Sequence, residues 1–293
     1  MEERVGFVGL GLMGHPMAHG ILTKGYPLTV LGHRRREAVE DLVAKGATEA
    51  PSPAALADAS DVILMCLTAS PQVAEVVAAM KPALRRDMVI VDCSTSDPAV
   101  TDRLGEELRD LGVTLVDAPL GRTPKDAWER NLDLMVGAET SVLERITPIL
   151  ECFAGRVVHV GGPGDGHRMK LLNNFLSLGY AALYSEALAL SRKVGIPVES
   201  FDAVIRGGRM DCGFYQTFMG YALEGNREAH RFTISNAYKD LRYLESMANA
   251  AVVSTHMASA AKNSFATAMA QGGDGPEDYV PHLPDFVARA NGL

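Results

Sequence analysis

The 293-residue chain is poor in cysteine. Its four thiols, Cys66, Cys93, Cys152 and Cys212, stand far apart, with none of the short spacings of a zinc knuckle or a thioredoxin-like redox pair. Such scattered thiols, two of them inside apolar runs at Cys66 and Cys93, suit a reducing compartment and lead to the expectation of a cytoplasmic protein. No mixed Cys/His ligand spacing occurs, and no metal is expected. Positive charge is also short: 28 Lys and Arg against 36 Asp and Glu give a net charge of −8, which repels nucleic acid and anionic membranes. The only basic patch is small, Arg34-Arg35-Arg36. A basic leader with an apolar core is not seen at the start, where a strand-like run begins at once. The longest apolar stretch, Leu171 to Leu190, carries or adjoins Lys170, Asn173, Asn174 and Glu186, which are costly in lipid, so it reads as a buried helix and no membrane is expected as partner.

Hydrophobic residues make up 47% and charged residues 22%, the balance of a globular protein, and the length suits two domains. Through the first 160 residues one rhythm repeats: a short run of Val, Ile or Leu, a turn, then a longer segment with helical spacing. Strands are expected at Val5–Val8, Leu28–Leu31, Val62–Leu67, Met88–Val91, Thr114–Asp117, Leu132–Val136 and Val157–Val160. Several are apolar throughout, as strands covered on both faces are, which predicts a mostly parallel, doubly wound sheet. Beyond Gly166 the rhythm stops. A glycine-rich hinge, Gly161 to Gly166, precedes a long helix over His167–Val194, and shorter helices are expected at Val198–Ile205, Gly213–Glu224, Asn236–Ala250, Ser254–Ala270 and Leu283–Ala290. The expected domains are 1–163, a connecting helix 164–194, and an all-helical 195–293.

Gly9-Leu10-Gly11-Leu12-Met13-Gly14 matches G-x-G-x-x-G directly after the first strand and before a helix. The first glycine permits the tight turn, the second lets backbone approach a pyrophosphate, and the third allows close strand–helix packing. The alternative is a plain tight connection; the position of the motif favours dinucleotide binding. About twenty residues on, where an NAD site usually places an acid for the ribose, stands Gly32-His33-Arg34-Arg35-Arg36. Guanidinium groups there bind a 2′-phosphate, so NADP(H) is expected over NAD(H), which stays possible; the other reading is a solvated arginine cluster.

On the long helix, Lys170, Asn173, Asn174 and Ser177 fall at i, i+3, i+4 and i+7, one face amid Leu171, Leu172, Phe175, Leu176 and Leu178. A partly desolvated lysine suits general acid/base work on a carbonyl oxygen, with the asparagines orienting it and the substrate. A polar face turned to solvent has the same periodicity.

These motifs, together with Pro16-Met17-Ala18, Asp92-Cys93-Ser94-Thr95 with Pro98, Asp117-Ala118-Pro119, Gly164 to Asn174 and Lys239-Asp240-Leu241, resemble the β-hydroxyacid dehydrogenases over nearly the whole chain. The resemblance implies a Rossmann-like N-terminal α/β domain and an all-α C-terminal domain joined by a long interdomain helix, commonly paired as a homodimer or homotetramer. It implies Lys170 as acid/base assisted by Asn174, a cofactor cradle of Gly9, Gly11, Leu12, Met13, Gly14, His33, Arg34, Arg35, Leu67 and Thr95, and Lys239 closing over the site. Ser94, Thr123, Asn173 and Ser177 are its expected substrate contacts.

Two departures are visible. Where most members have Ser-Gly-Gly, this chain has Gly121-Arg122-Thr123, similar to the variant of the 3-sulfolactaldehyde reductases, which makes Arg122 the expected clamp for a carboxylate or sulfonate. Thr68 replaces a frequent proline, and the run Pro124–Asn131 departs from the small residues of many members, which can reshape the pocket. The expected substrate is a small anionic aldehyde or hydroxy acid. Imine reductases share the architecture, and some relatives are non-catalytic NADP-binding modules; both usually lack the lysine that stands here as Lys170.

Overall fold

A computed structural model describes residues 3–33 and 36–293. Two compact units divide it, Met1–Lys170 and Leu171–Leu293. The strands are β1 Val5–Val8, β2 Leu28–Leu31, β3 Thr48–Ala50, β4 Val62–Met65, β5 Val89–Asp92, β6 Thr114–Asp117, β7 Leu120–Gly121, β8 Leu132–Gly137 and β9 Ala154–Gly161. The α-helices of the first unit are α1 Gly14–Thr23, α2 Arg36–Ala44, α3 Pro53–Asp58, α4 Ser70–Met80, α5 Pro98–Arg109, α6 Pro124–Trp128 and α7 Thr140–Leu150. Then come α8 Asp165–Lys193, α9 Val198–Ile205, α10 Gly213–Glu224, α11 Ile234–Ala250, α12 His256–Ala270 and α13 Leu283–Ala290.

The sheet runs β3-β2-β1-β4-β5-β6-β8-β7, with β9 paired to β8. From β3 to β6 every pairing is parallel; β8 meets β6 and β7 antiparallel and β9 parallel. The reversal of strand order lies between β1 and β4, the crevice where ligands of such sheets bind at the carboxyl ends. Strands β1, β4 and β5 are buried at every residue. Their alternation divides the core in two: Val62 and Leu64 pack into one cluster with Val5, Phe7, Val89 and Val91, while Ile63 and Met65 pack into the other with Val8, Ile90 and Leu115. Covering both faces is why these strands read as unbroken apolar runs.

The second unit builds its own core from helix faces, with Tyr215, Phe218, Phe265 and Leu283 fully enclosed.

Three sequence expectations are corrected. β3 and β7 were not anticipated: Thr48-Glu49-Ala50 is a short, half-exposed edge, and β7 is two residues long, so neither carries a period-2 signal. β9 starts at Ala154, three residues before the expected Val157, with an irregular register against β8. The glycine-rich run is a seat more than a hinge, because α8 begins inside it at Asp165 and its first turn is bonded to β6. Among the described residues no helix is long and apolar enough to cross a membrane.

Candidate functional site

The cradle begins where β1 ends. Gly9 has φ +98°, and a Cβ there would lie 2.2 Å from the Cys66 carbonyl oxygen, while one on Gly14 would lie 1.9 Å from that of Gly9. Both positions admit only glycine. Gly11 differs: nothing lies within 4 Å of the place its Cβ would take, so the surface above it is open for a pyrophosphate. α1 follows without a side-chain cap or an acid in its first turn, leaving its N-terminal amides for an anion. Gly11 and Leu12 are exposed and Met13 half-buried, in keeping with a loop that touches a ligand. The residues present fit a dinucleotide.

At the ends of β4 and β5 the loops expected to face a cofactor are tied together. The Leu67 amide donates to Ser94 Oγ at 2.8 Å, and the Ser94 amide donates to Asp92 Oδ1 at 2.9 Å. Ser94 is buried, Thr95 is half-buried, and Thr68 is exposed. Burial and the neighbouring Asp92 carboxylate push the Cys66 thiol up to about 12, and burial raises that of Cys93 as well, so both stay protonated.

Arg36 is taken up by Glu49, with contacts of 2.6 and 2.9 Å, which raises its own pKa and lowers that of the glutamate. His33 is exposed. Arg34 and Arg35, the expected 2′-phosphate ligands, lie outside the described residues.

Arg122 sits in the left-handed region at φ +75°, a conformation that costs a non-glycine residue roughly 1 kcal/mol or more. Its Nε donates to Asp133 at 2.9 Å, and Asp126 stands at 3.9 Å. The Thr123 hydroxyl is engaged as the cap of α6, donating to Asp126 at 2.5 Å. The divergent run after it forms α6, and the Trp128 indole rests against His15 and His19 of α1, with centroids 5.1 and 5.5 Å away. Those two histidines form a His-x-x-x-His pair that the expectation of no metal passed over. His15 Nε2 lies 2.9 Å from Asp41, and among the described residues no three ligand side chains gather for a metal.

α8 carries the residues expected to act as acid/base and substrate contacts. Lys170 is half-buried one turn from its start. Asn174, one turn further, is only 6% exposed, and its amide donates to Asp240 Oδ2 at 2.7 Å. Asp240 also meets Lys239 at 3.2 Å. Asn173 is exposed, with its amide nitrogen 3.5 Å from Asn174 Oδ1, and the Ser177 hydroxyl donates to the Asn174 carbonyl at 3.2 Å. Lys239, Asp240 and Asn174 are thus brought together within the helical unit.

Sequence reasoning missed Asp240 as the partner of Asn174, and it missed His167 and Asp117 at the start of α8. Asp117 accepts from the amides of Gly164 at 2.6 Å and His167 at 2.7 Å, while burial still pushes its carboxyl above the ordinary range. An acid closing an apolar strand was the available signal.

Residues 4–161 match a family model described as the NAD-binding domain of 6-phosphogluconate dehydrogenase, and 164–281 one described as the NAD-binding region of NADP-dependent 3-hydroxyisobutyrate dehydrogenase. The 3-sulfolactaldehyde reductase of Escherichia coli (strain K12) is 33% identical over 98% of this chain and 96% of its own. The 2-hydroxy-3-oxopropionate reductase of the same organism is 29% identical over 92% of each. A solved 3-hydroxyisobutyrate dehydrogenase of Mycobacterium tuberculosis with L-serine superposes with a TM-score of 0.86 at 25% identity, covering 96% of this chain and 99% of that one. With a glycine cradle on a 3-2-1-4-5-6 sheet and matches along both units, the chain belongs to the β-hydroxyacid dehydrogenase family and is an NAD(P)-dependent oxidoreductase acting on CH–OH groups.

Proposed function

We propose that this enzyme interconverts a small hydroxy acid and its aldehyde, with a terminal carboxylate or sulfonate, using NADP(H), and that Lys170 is the general acid/base. The observation that carries the reading is the half-buried Lys170 one helical turn before Asn174, whose amide is held by Asp240. In the reducing direction the Lys170 ammonium gives its proton to the carbonyl oxygen as the carbon is reduced; in the other direction the neutral amine takes the alcohol proton. NADPH, when bound, supplies the hydride. Asn174 orients the reacting oxygen and the amine, and Asn173 and Ser177 offer polar contacts from the same helix.

Gly9, Gly11, Leu12, Met13 and Gly14 would hold the pyrophosphate, Leu67 and Thr95 would flank the nicotinamide end, and Ser94 would sit beside them on the substrate side. With Arg36 committed to Glu49, the 2′-phosphate falls to His33, Arg34 and Arg35. Lys239 would close over the bound ligands. Arg122, strained and oriented by Asp133, is the anion clamp, with Thr123 beside it; strain kept at a surface-reaching arginine is typical of functional positions. The similarity to 3-sulfolactaldehyde reductase favours a sulfonate among the candidate anions.

In domain terms, 1–163 binds the cofactor, 164–194 is the catalytic helix, and 195–293 serves substrate binding and self-association. A homodimer or homotetramer is supported by Leu172, Leu176, Tyr180, Leu183 and Leu190, which form an exposed stripe at spacings of three, four and seven along α8. So long an apolar stripe is rare on a monomer, and repeated along one helix it can pair with a second copy about a two-fold axis. The reducing cytoplasm is the compartment that suits its unpaired thiols.

The test is NADPH oxidation with sulfolactaldehyde and with tartronate, methylmalonate and succinic semialdehydes. Turnover of one or more, faster with NADPH than NADH, is expected. Arg122→Ala should raise that substrate's KM about tenfold or more with a smaller change in kcat, as loss of a charge-assisted bond of ~1.5–3 kcal/mol requires. Arg34→Ala with Arg35→Ala should weaken NADPH far more than NADH. Inertness toward every aldehyde overturns the reading.

A further inference from the structure

His167 is fully buried and plays no part in the chemistry described so far. Its ring joins two segments that are far apart in sequence. Nε2 lies 3.1 Å from the carbonyl oxygen of Ser94, which can only accept, so Nε2 carries the proton; Nδ1 then accepts from the Thr101 hydroxyl at 2.7 Å. Ser94 is the residue before Thr95, and its own hydroxyl takes the Leu67 amide. Asp92 completes the hub, accepting from Ser94 N–H at 2.9 Å and the Ser96 hydroxyl at 2.7 Å, with its Oδ2 3.7 Å from the imidazole. On the other side, the His167 amide is bonded to Asp117.

Packing leaves the helix start no freedom. A Cβ on Gly166 would lie 2.5 Å from the Met135 carbonyl oxygen and 2.6 Å from that of Asp117, and one on Gly137 would lie 2.7 Å from the Gly166 amide. The first turn of α8 is therefore pressed onto the ends of β6 and β8, and the imidazole pins it to the loop after β5. Lys170 follows His167 by three residues, less than one turn.

We infer that His167 is a positioning residue, which fixes the distance between the Lys170 amine and the loop bearing Ser94 and Thr95. The inference rests on the role proposed for Lys170. Proton transfer and reduction occur at adjacent atoms of one carbonyl, so the group giving the proton and the loop facing the nicotinamide end must hold a set separation. A buried, doubly bonded ring does this without the entropy of a long flexible chain. Glutamine can reproduce both bonds, with its amide nitrogen to Ser94 and its oxygen to Thr101; leucine keeps only volume.

The test compares His167→Leu, His167→Gln and Thr101→Val in the full-length protein. His167→Leu should lower kcat 10- to 100-fold with the KM for NADPH within about threefold, and the primary deuterium isotope effect from 4-deuterated NADPH should change with it. His167→Gln should stay within about threefold of wild type, and Thr101→Val should fall three- to tenfold. In cofactor-free protein, amide exchange in His167→Leu should quicken about tenfold or more in both 94–96 and 164–170.

Normal kcat in His167→Leu, or faster exchange in one segment alone, overturns the inference while Lys170→Ala still tests the acid/base. A wild-type enzyme inert toward every aldehyde removes the proposed function and this inference with it. If His167→Leu does not fold, equal kcat in His167→Gln and Thr101→Val overturns it, and the expected split between them supports it.

Discussion

The two units hold their candidate site residues by different means. In the α/β unit the cradle is backbone: Gly9 and Gly14 have no room for a side chain, Gly11 leaves open space, and loop amides are tied to Ser94, Asp92 and Asp117. In the helical unit the candidate groups are side chains on helix faces, Asn174, Asp240 and Lys239, held by one another. A backbone cradle constrains residue identity at fixed spacing and leaves a signature. A side-chain cluster leaves none, because its members are brought together only by folding.

The contrast can be broken first at the glycines. Gly14→Ala sets a Cβ against backbone that cannot rotate away, an overpacking of about 1–3 kcal/mol, so NADPH affinity should fall roughly ten- to hundredfold and the Tm should drop. Gly11→Ala meets no protein atom and should weaken NADPH to a similar degree with the Tm unchanged. Fluorescence titration beside thermal unfolding separates the two; equal Tm losses would mean the space over Gly11 is not a ligand's.

In the helical unit, Asp240→Ala strands the buried amide of Asn174 and should cost about 1–3 kcal/mol of stability, read from urea unfolding, with a lower kcat as Asn174 loses its orientation. Asp240→Asn keeps a hydrogen-bonding partner and should lose less. Equal effects would show that charge toward Lys239, not the bond to Asn174, is what Asp240 supplies.

The smallest effect concerns the thiols. Cys66 and Cys93 are held protonated by burial, Cys152 is buried with its thiol raised for the same reason, and Cys212 is exposed on the helical unit. At pH 8 a disulfide reagent should therefore label Cys212 quickly, the half-buried Cys66 slowly, and the buried Cys93 and Cys152 only after unfolding. Rapid labelling of Cys66 in native protein would mean that the loop after β4 opens.

Legibility follows the same division. The parallel sheet could be read because β1, β4 and β5, covered on both faces, are apolar throughout, and the cradle because three glycines sit at a strand's end. α9, α10 and α13 match the expected bounds, having clear breaks on either side. β3 and β7 escaped notice since two or three residues show no period. Helical spacing grouped Asn173 with Asn174 but does not say which faces inward; the structure exposes the first and buries the second. His167 and Asp240 were illegible as partners, since the residues they hold lie 73 and 66 positions away.

Lys170→Ala tests the central claim most directly, with kcat measured on whichever aldehyde is turned over and NADPH affinity measured in parallel. The account predicts a fall of roughly 10²–10⁴-fold in kcat with cofactor affinity nearly intact. A near-normal kcat would contradict it.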